Sequence, residues 1–125
     1  MADRILAAFA AACILAGAAA AQAQPIRVID GDTIAVRGTT IRIIGLDAPE
    51  MHGRCPAETT LARAARDRLA ELLRDGSTVW RRGRDRYGRT LAIVRDGAGR
   101  DVADTLIAEG LARAYHGRGP RGGWC

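Results

Sequence analysis

Only one stretch of this chain is long enough and suitably patterned to be an amphipathic helix, Pro56 to Arg74, and it interrupts a series of short alternating segments. Pro56 suits a first helical turn. Leu61, Ala65, Leu69, Leu72 and Leu73 recur on one face, with Arg63, Arg66, Asp67 and Arg74 turned outward, and Asp75–Gly76 stops the run. Ahead of it, Ile26–Ile29, Thr33–Arg37 and Thr40–Leu46 alternate apolar and polar residues, the last two joined by an "RGTT" loop in which Gly38 supplies the turn. Behind it, Ser77–Arg82 and Thr90–Arg95 alternate around the turn-rich "GRDRYGR". Asp101 suits the cap of a short helix, Val102–Glu109, ended by Gly110, and "GLARAY" is a last extended piece. No strand–helix–strand unit repeats, which argues against a parallel sheet. Five short strands with glycine-rich turns predict a β-rich α+β domain: a five-stranded OB-fold barrel, one longer helix after the third strand, and one short C-terminal helix.

The first residues read as an address. Ile5 to Ala21 is an unbroken apolar or small run, and "AQA" at Ala21–Ala23 fits a small-x-small cleavage site. The expectation is a signal peptide over 1–23 and a single exported domain over 24–125, ending in a flexible Gly/Arg tail from about 116. The rival is an uncleaved anchor, since a spanning helix needs roughly 17–25 apolar residues. After cleavage no stable membrane insertion is expected, and the endpoint is periplasmic or secreted. In an oxidising compartment Cys55 and Cys125 form an even pair, for which a disulfide is expected over two free thiols. The formal charge is +5 with nineteen arginines and no lysine. That balance favours polyanionic partners without specifying one.

The first hairpin, "VIDGDTIAVRGTTIRIIGLDAPE", gathers carboxylates at its open end: Asp30, Asp32, Asp47 and Glu50. Folded about Gly38–Thr39, it sets Asp32 opposite Gly45 and Asp47 near Asp30. Carboxylates at close range repel unless one protonates or a cation intervenes. Oxygen-only ligation points to a hard cation, calcium or magnesium. The bland alternative is a turn at Asp30–Gly31 with exposed acids around it. In a flat register Arg42 falls on the face opposite Asp32. Arg89 sits among Arg81, Arg82, Arg84 and Arg86, and such a run is ordinarily a solvated face. Asp85 fits a brace for the Tyr-Gly turn, and His52 and His116 have no partner pattern.

Taken together, "VIDGDT", "IRIIGLDAPE", "DRYGRTLA" and "AEGLARAY", in this order and with a helix between the second and third, resemble the staphylococcal nuclease (thermonuclease) family. The resemblance covers the chain from the first hairpin to about Tyr115. It implies an OB-type barrel and calcium-dependent hydrolysis of DNA or RNA phosphodiester bonds. Carried over residue by residue, it makes Asp32 and Asp47 the Ca2+-ligating carboxylates and adds the backbone carbonyl of Ala48. Glu50 becomes the general base, Arg42 and Arg89 the grip on the scissile phosphate, and Tyr87 and Tyr115 the lining of the nucleotide site. Two departures stand out. "DAPE" replaces the family's common "DTPE", and a Gly/Arg tail stands where the family has a C-terminal helix.

The expected function is thus an exported calcium-dependent nuclease, a metal-dependent phosphodiesterase acting as a monomer on DNA or RNA, with single strands favoured. The alternative is a catalytically silent OB-type module that binds single-stranded nucleic acid. A protein-interaction module of the same fold is the third reading, though the chain is poorly supplied with aromatics for it.

Overall fold

The computed structural model describes residues 25–125; the expected signal segment, 1–23, lies outside them. Along the chain come β1 (Ile26–Asp30), β2 (Thr33–Val36), β3 (Thr39–Ile43), β4 (Gly45–Asp47), α1 (Pro56–Leu72), β5 (Ser77–Arg84), β6 (Thr90–Asp96), α2 (Val102–Ala108) and β7 (Arg113–Tyr115). Five strands form one mixed sheet in the order β1-β2-β3-β6-β5, while β4 and β7 pair separately. This is the expected α+β, OB-like arrangement with two helices. The sheet does not close into a barrel by hydrogen bonds. Its edge strands β1 and β5 flank a cleft of about 970 Å³ that α1 also lines.

The β2–β3 hairpin turns on Arg37 and Gly38, whose φ angles of 50° and 78° are both positive. Two such residues build the tight turn whose twist matches that of the flanking strands. The resulting register pairs Thr33 with Arg42 and Val36 with Thr39. It is two residues off the expected pairing: the Ile43 N–H donates to the Asp32 carbonyl at 2.8 Å, so Asp32 faces Ile43 and not Gly45.

Two further expectations are corrected. The segment Thr40–Leu46 is not one strand. Gly45 adopts φ 99°, and the chain turns there, so that β4 leaves the sheet and pairs with β7. One pairing is parallel, β3 with β6. The long excursion through β4, α1 and β5 supplies the crossover that a parallel pair requires. The other ladders are antiparallel.

The core fills from Ile34, Ile41, Ile43, Leu46, Leu69, Val94, Val102 and Leu106. On α1 the buried stripe is Glu58, Ala62, Ala65 and Leu69, continued by Leu73, whereas Leu61 and Leu72 are only half-buried. Pro56 opens the helix, and the Glu58 carboxylate reaches back to accept the Arg54 N–H at 2.7 Å. That contact resembles half of a capping box. The alanines of α1 permit a close approach to the β1–β2 turn. A Cβ on Gly31 would sit 2.8 Å from the Ala65 Cβ and 2.9 Å from the Ala48 Cβ. Glycine in "IDGDT" therefore serves packing, and it seats the acidic turn directly against the helix. Asp101 caps α2 by accepting the Ala103 N–H at 2.9 Å, as expected.

Candidate active site

Asp32 sits in the turn between β1 and β2, just outside the strand, so simple alternation does not govern its side chain. Its Oδ1 accepts the Thr33 hydroxyl at 2.9 Å and its Oδ2 accepts the Ala48 N–H at 3.0 Å. The Arg42 Nη1 lies 3.1 Å from that same Oδ2. The two residues that a flat hairpin would separate are thus an ion pair, and both are less than one-tenth exposed. A register irregularity between Val28 and Asp30 helps swing the turn across.

Arg42 is also held by backbone. Its Nη1 donates to the carbonyls of Asp32 and Ile43, each at 3.3 Å, and its Nη2 to that of Leu46 at 3.1 Å. Because Gly45 turns the chain, Asp47 follows directly, with its Oδ1 4.0 Å from the Arg42 Nη2. A second guanidinium reaches the same oxygen: the Arg121 Nη1 stands 3.4 Å away. Asp47 is buried, and burial pushes its carboxyl up from the ordinary value; Arg121 and Arg42 pull it down and the Asp32 charge pushes it further up.

Asp30 feels the same crowding. Burial first, then its contact with Asp32 and the Asp32 charge, pushes its carboxyl from an ordinary 3.8 up to about 7. The folded state then keeps a proton that the unfolded chain releases. Stability from this group is complete below pH 3.8 and is lost as pH rises toward 7. In metal-free protein each pH unit across that window removes up to about 1.4 kcal/mol. Urea denaturation at stepped pH checks this, with Asp30→Asn expected to flatten the decline; an unchanged profile in that variant would contradict the assignment.

Glu50 follows β4 in the Ala48-Pro49-Glu50 loop and is exposed at its rim. Partial burial of its carboxyl, then the charges of Asp32 and Asp47, raise its pKa, against the opposing pull of Arg121 and Arg42. It shares the field of the acidic cluster while remaining open to solvent.

Beside this cluster lies a cleft of about 890 Å³ lined by Arg42, Leu91, Arg89, Tyr87, Tyr115 and Arg121. Arg89 is positioned by Asp85. The Asp85 Oδ1 accepts the N–H groups of Tyr87 and Arg89, both at 2.9 Å, and its Oδ2 takes the Arg89 Nε at 2.7 Å. Burial would raise the Asp85 carboxyl, but those donors hold it below its ordinary value. The pairing occupies only the Arg89 Nε among the described residues, leaving both terminal nitrogens for a ligand. The same device recurs at the far end of β6, where Asp96 accepts from Ala98, Arg100 N and Arg100 Nε. "DRYGR" and "DGAGR" are thus one turn used twice. The Asp85 contact is structural, and what distinguishes Arg89 is that its copy opens onto the cleft.

The sequence-predicted residues therefore fall into two adjoining groups. Arg42 contacts both Asp32 and Asp47, with Ala48 bonded to Asp32 and Glu50 at the rim. Arg89, Tyr87 and Tyr115 line the cleft that Arg42 also borders. Among the described residues no three Asp, Glu, His or Cys side chains come together as a ready cage for a metal ion. The protein offers two converging carboxylates, with Asp47 engaged only by arginines at 3.4 and 4.0 Å. Such an all-oxygen pair suits a hard cation that completes its shell with waters, backbone carbonyls and phosphate oxygens.

Arg121 is the site residue that the sequence reading missed. It lies in a Gly/Arg segment that forms no helix or strand, so no periodicity marks it. That segment is nevertheless tied down. The Tyr115 hydroxyl donates to the Gly119 carbonyl at 3.1 Å, the Arg113 guanidinium lies 3.8 Å over Trp124, and Cys55 is bonded to Cys125. The bridge spans a sequence separation of 70 residues. In the chain-entropy view such a closure stabilises by roughly 4 kcal/mol. Cys55→Ser/Cys125→Ser is expected to lose most of that in equilibrium denaturation and to loosen Arg121 from Asp47; a loss under about 1 kcal/mol would contradict it.

Comparison with known proteins agrees with the motifs. Residues 40–122 match the family described as staphylococcal nuclease homologue. The chain is 38% identical over 98 residues to the endonuclease YncB of Bacillus subtilis (strain 168), covering 72% of this chain and 46% of the relative. It is 33% identical over 105 residues to a micrococcal nuclease of Shigella flexneri, covering 74% and 57%. With the thermonuclease of Staphylococcus hyicus it shares 37% over 97 residues, covering 71% and 56%. The chain thus spans about half the length of these relatives.

Proposed function

Since the chain belongs to the staphylococcal nuclease family, we propose that it is an exported, calcium-dependent nuclease that hydrolyses phosphodiester bonds of DNA or RNA. The observation that carries the reading is the buried Asp32–Arg42–Asp47 cluster bordering a cleft onto which Arg89 turns two terminal nitrogens unengaged among the described residues. A phosphodiester resists attack because its oxygens are anionic. Asp32, Asp47 and the Ala48 carbonyl would hold a divalent cation, which would neutralise that charge and orient water. Glu50, exposed and outside the ion-paired set, accepts the water's proton. Arg89 presents its two terminal nitrogens as a fork to the phosphate. Arg42 retains its Nε–H for the same anion while its terminal nitrogens hold the acids and carbonyls in place. Tyr87 and Tyr115 flank the nucleoside.

Export is supported by the apolar run Ile5–Ala21 with its "AQA" site, and a disulfide suits an oxidising compartment. Among the described residues no helix is long and apolar enough to cross a membrane. The domain over 24–125 acts as a monomer in this reading, with single strands favoured because the cleft is open and lined by tyrosines. The experiment is cleavage of a labelled single-stranded oligonucleotide by the purified protein. Shortened products support the reading. Binding without cleavage, at saturating calcium, means a silent module instead.

A further inference from the structure

Two large apolar side chains stand out on the described surface, Trp80 at 53% exposure and Tyr87 at 70%. Each carries arginine on its ring. The Arg82 guanidinium lies 4.5 Å from the Trp80 centroid, and those of Arg86 and Arg89 lie 5.0 and 5.6 Å from that of Tyr87. Tyr87 lines the cleft, but Trp80 does not.

Strand geometry relates the two. Trp80 pairs with Ile93 across the β5–β6 ladder. Ala92 and Val94 are buried in the core, so Ile93 and Leu91 point to the other face of the sheet. Leu91 lines the cleft. Trp80 therefore stands on the same sheet face as the cleft, roughly 7 Å further along β6. It lies on the edge strand β5, which also carries Arg81, Arg82 and Arg84, contains no acid, and forms no ion pair among the described residues.

We propose that β5 extends the substrate site into a track for the nucleic-acid strand beyond the cleft. Trp80 stacks a base, and Arg82, whose guanidinium already lies on the indole, takes a neighbouring phosphate; Arg84, beyond an irregularity in the ladder, pairs with Thr90 and falls on the other face. The inference rests on the nuclease reading for the identity of the cleft. Charge complementarity selects the occupant, because an uncompensated arginine row suits a polyanion. The indole selects a single strand, whose bases are free to stack, with arginine adding a cation–π contribution. The rival account is that charges on an edge strand merely block strand pairing. It gives Trp80 no binding role, and the test turns on that residue.

The test is equilibrium binding by fluorescence anisotropy, in excess chelator so that no strand is cut. The probes are a labelled trinucleotide and a labelled single strand of about fifteen nucleotides. Trp80→Ala is expected to weaken the long strand about tenfold or more while leaving the trinucleotide within about twofold, and Trp80→Phe to retain most of the affinity. Arg82→Ala is expected to lower the salt dependence of long-strand binding by about 0.7 in log–log slope. Circular dichroism confirms folding, and the Arg82 variant carries the test if the Trp80 variant does not fold. Long-strand affinity and salt slope unchanged in these variants, or equal loss for both probes, would overturn the track. Failure of the nuclease reading looks different: the unmodified protein then cleaves nothing at saturating calcium, whether or not its binding depends on strand length.

Discussion

Glu50→Gln is expected to lower turnover by about 10²–10⁴-fold while the protein stays folded and its substrate affinity holds or rises. The substitution keeps the shape and removes the basic oxygen. Glu50 is exposed and makes no ion pair among the described residues, so no structural contact is lost with its charge. Affinity gains because a negative group near the phosphate disappears. The pH dependence adds a second readout. Partial burial and the charges of Asp32 and Asp47 raise the Glu50 pKa, and a base works only when deprotonated. Activity therefore climbs with pH through that pKa, and this acid limb vanishes in the Gln variant. Steady-state kinetics on a single-stranded oligonucleotide at saturating calcium reads both effects. Full turnover in a folded Glu50→Gln protein would move the base elsewhere, to Asp30 as the next candidate.

Arg42→Met is the largest expected stability loss. Arg42 is buried, and it neutralises Asp32 at 3.1 Å while donating to three carbonyls. Removing one partner of a buried pair leaves the other charge uncompensated, at a cost of about 3–5 kcal/mol. The Thr33 hydroxyl and the Ala48 N–H still reach Asp32, which places the loss toward the lower end of that range. A cation held by Asp32 and Asp47 would stabilise native and variant protein alike, by about 2.7 kcal/mol at a hundred times its dissociation constant for each, so the loss is read in metal-free protein. Arg42→Lys is not conservative here, since an ammonium cannot span carbonyls and carboxylate as a planar fork does. Denaturation of metal-free protein checks both claims. A loss below about 1 kcal/mol for Arg42→Met would show that the pair is dispensable.

Local features of this fold were legible from residues. "CPAE" and "DG" bounded α1, Asp101 marked the start of α2, and glycine marked the first hairpin turn. What escaped was non-local. The alternation of Thr40–Ile43 falters at Ile44, and only the pairing of Gly45–Asp47 with β7 gives the break at Gly45 its purpose. A turn at Gly38–Thr39 implies a register two residues away from the observed one, in which Arg37 itself adopts a positive φ. The parallel β3–β6 pair depends on how far α1 and β5 carry the chain, which no local pattern encodes. At the site, the carboxylates and arginines were legible as residue types through the family motifs. Their contacts were not, because Asp32 lies outside its strand, where alternation stops applying. Arg121 had no signal beyond composition and reaches Asp47 from a segment that the Cys55–Cys125 bond ties down.

The central claim is that Asp32 and Asp47 hold a hard cation on which strand cleavage depends. It is tested most directly by titrating calcium into metal-free protein while following cleavage of a single-stranded oligonucleotide, for the unmodified chain and for Asp47→Asn. The account predicts no cleavage in excess chelator, full recovery with calcium, poor replacement by magnesium because that ion demands near-ideal octahedral geometry, and a calcium requirement raised about tenfold or more in Asp47→Asn. Undiminished cleavage in excess chelator, or an unaltered calcium requirement in Asp47→Asn, would contradict it.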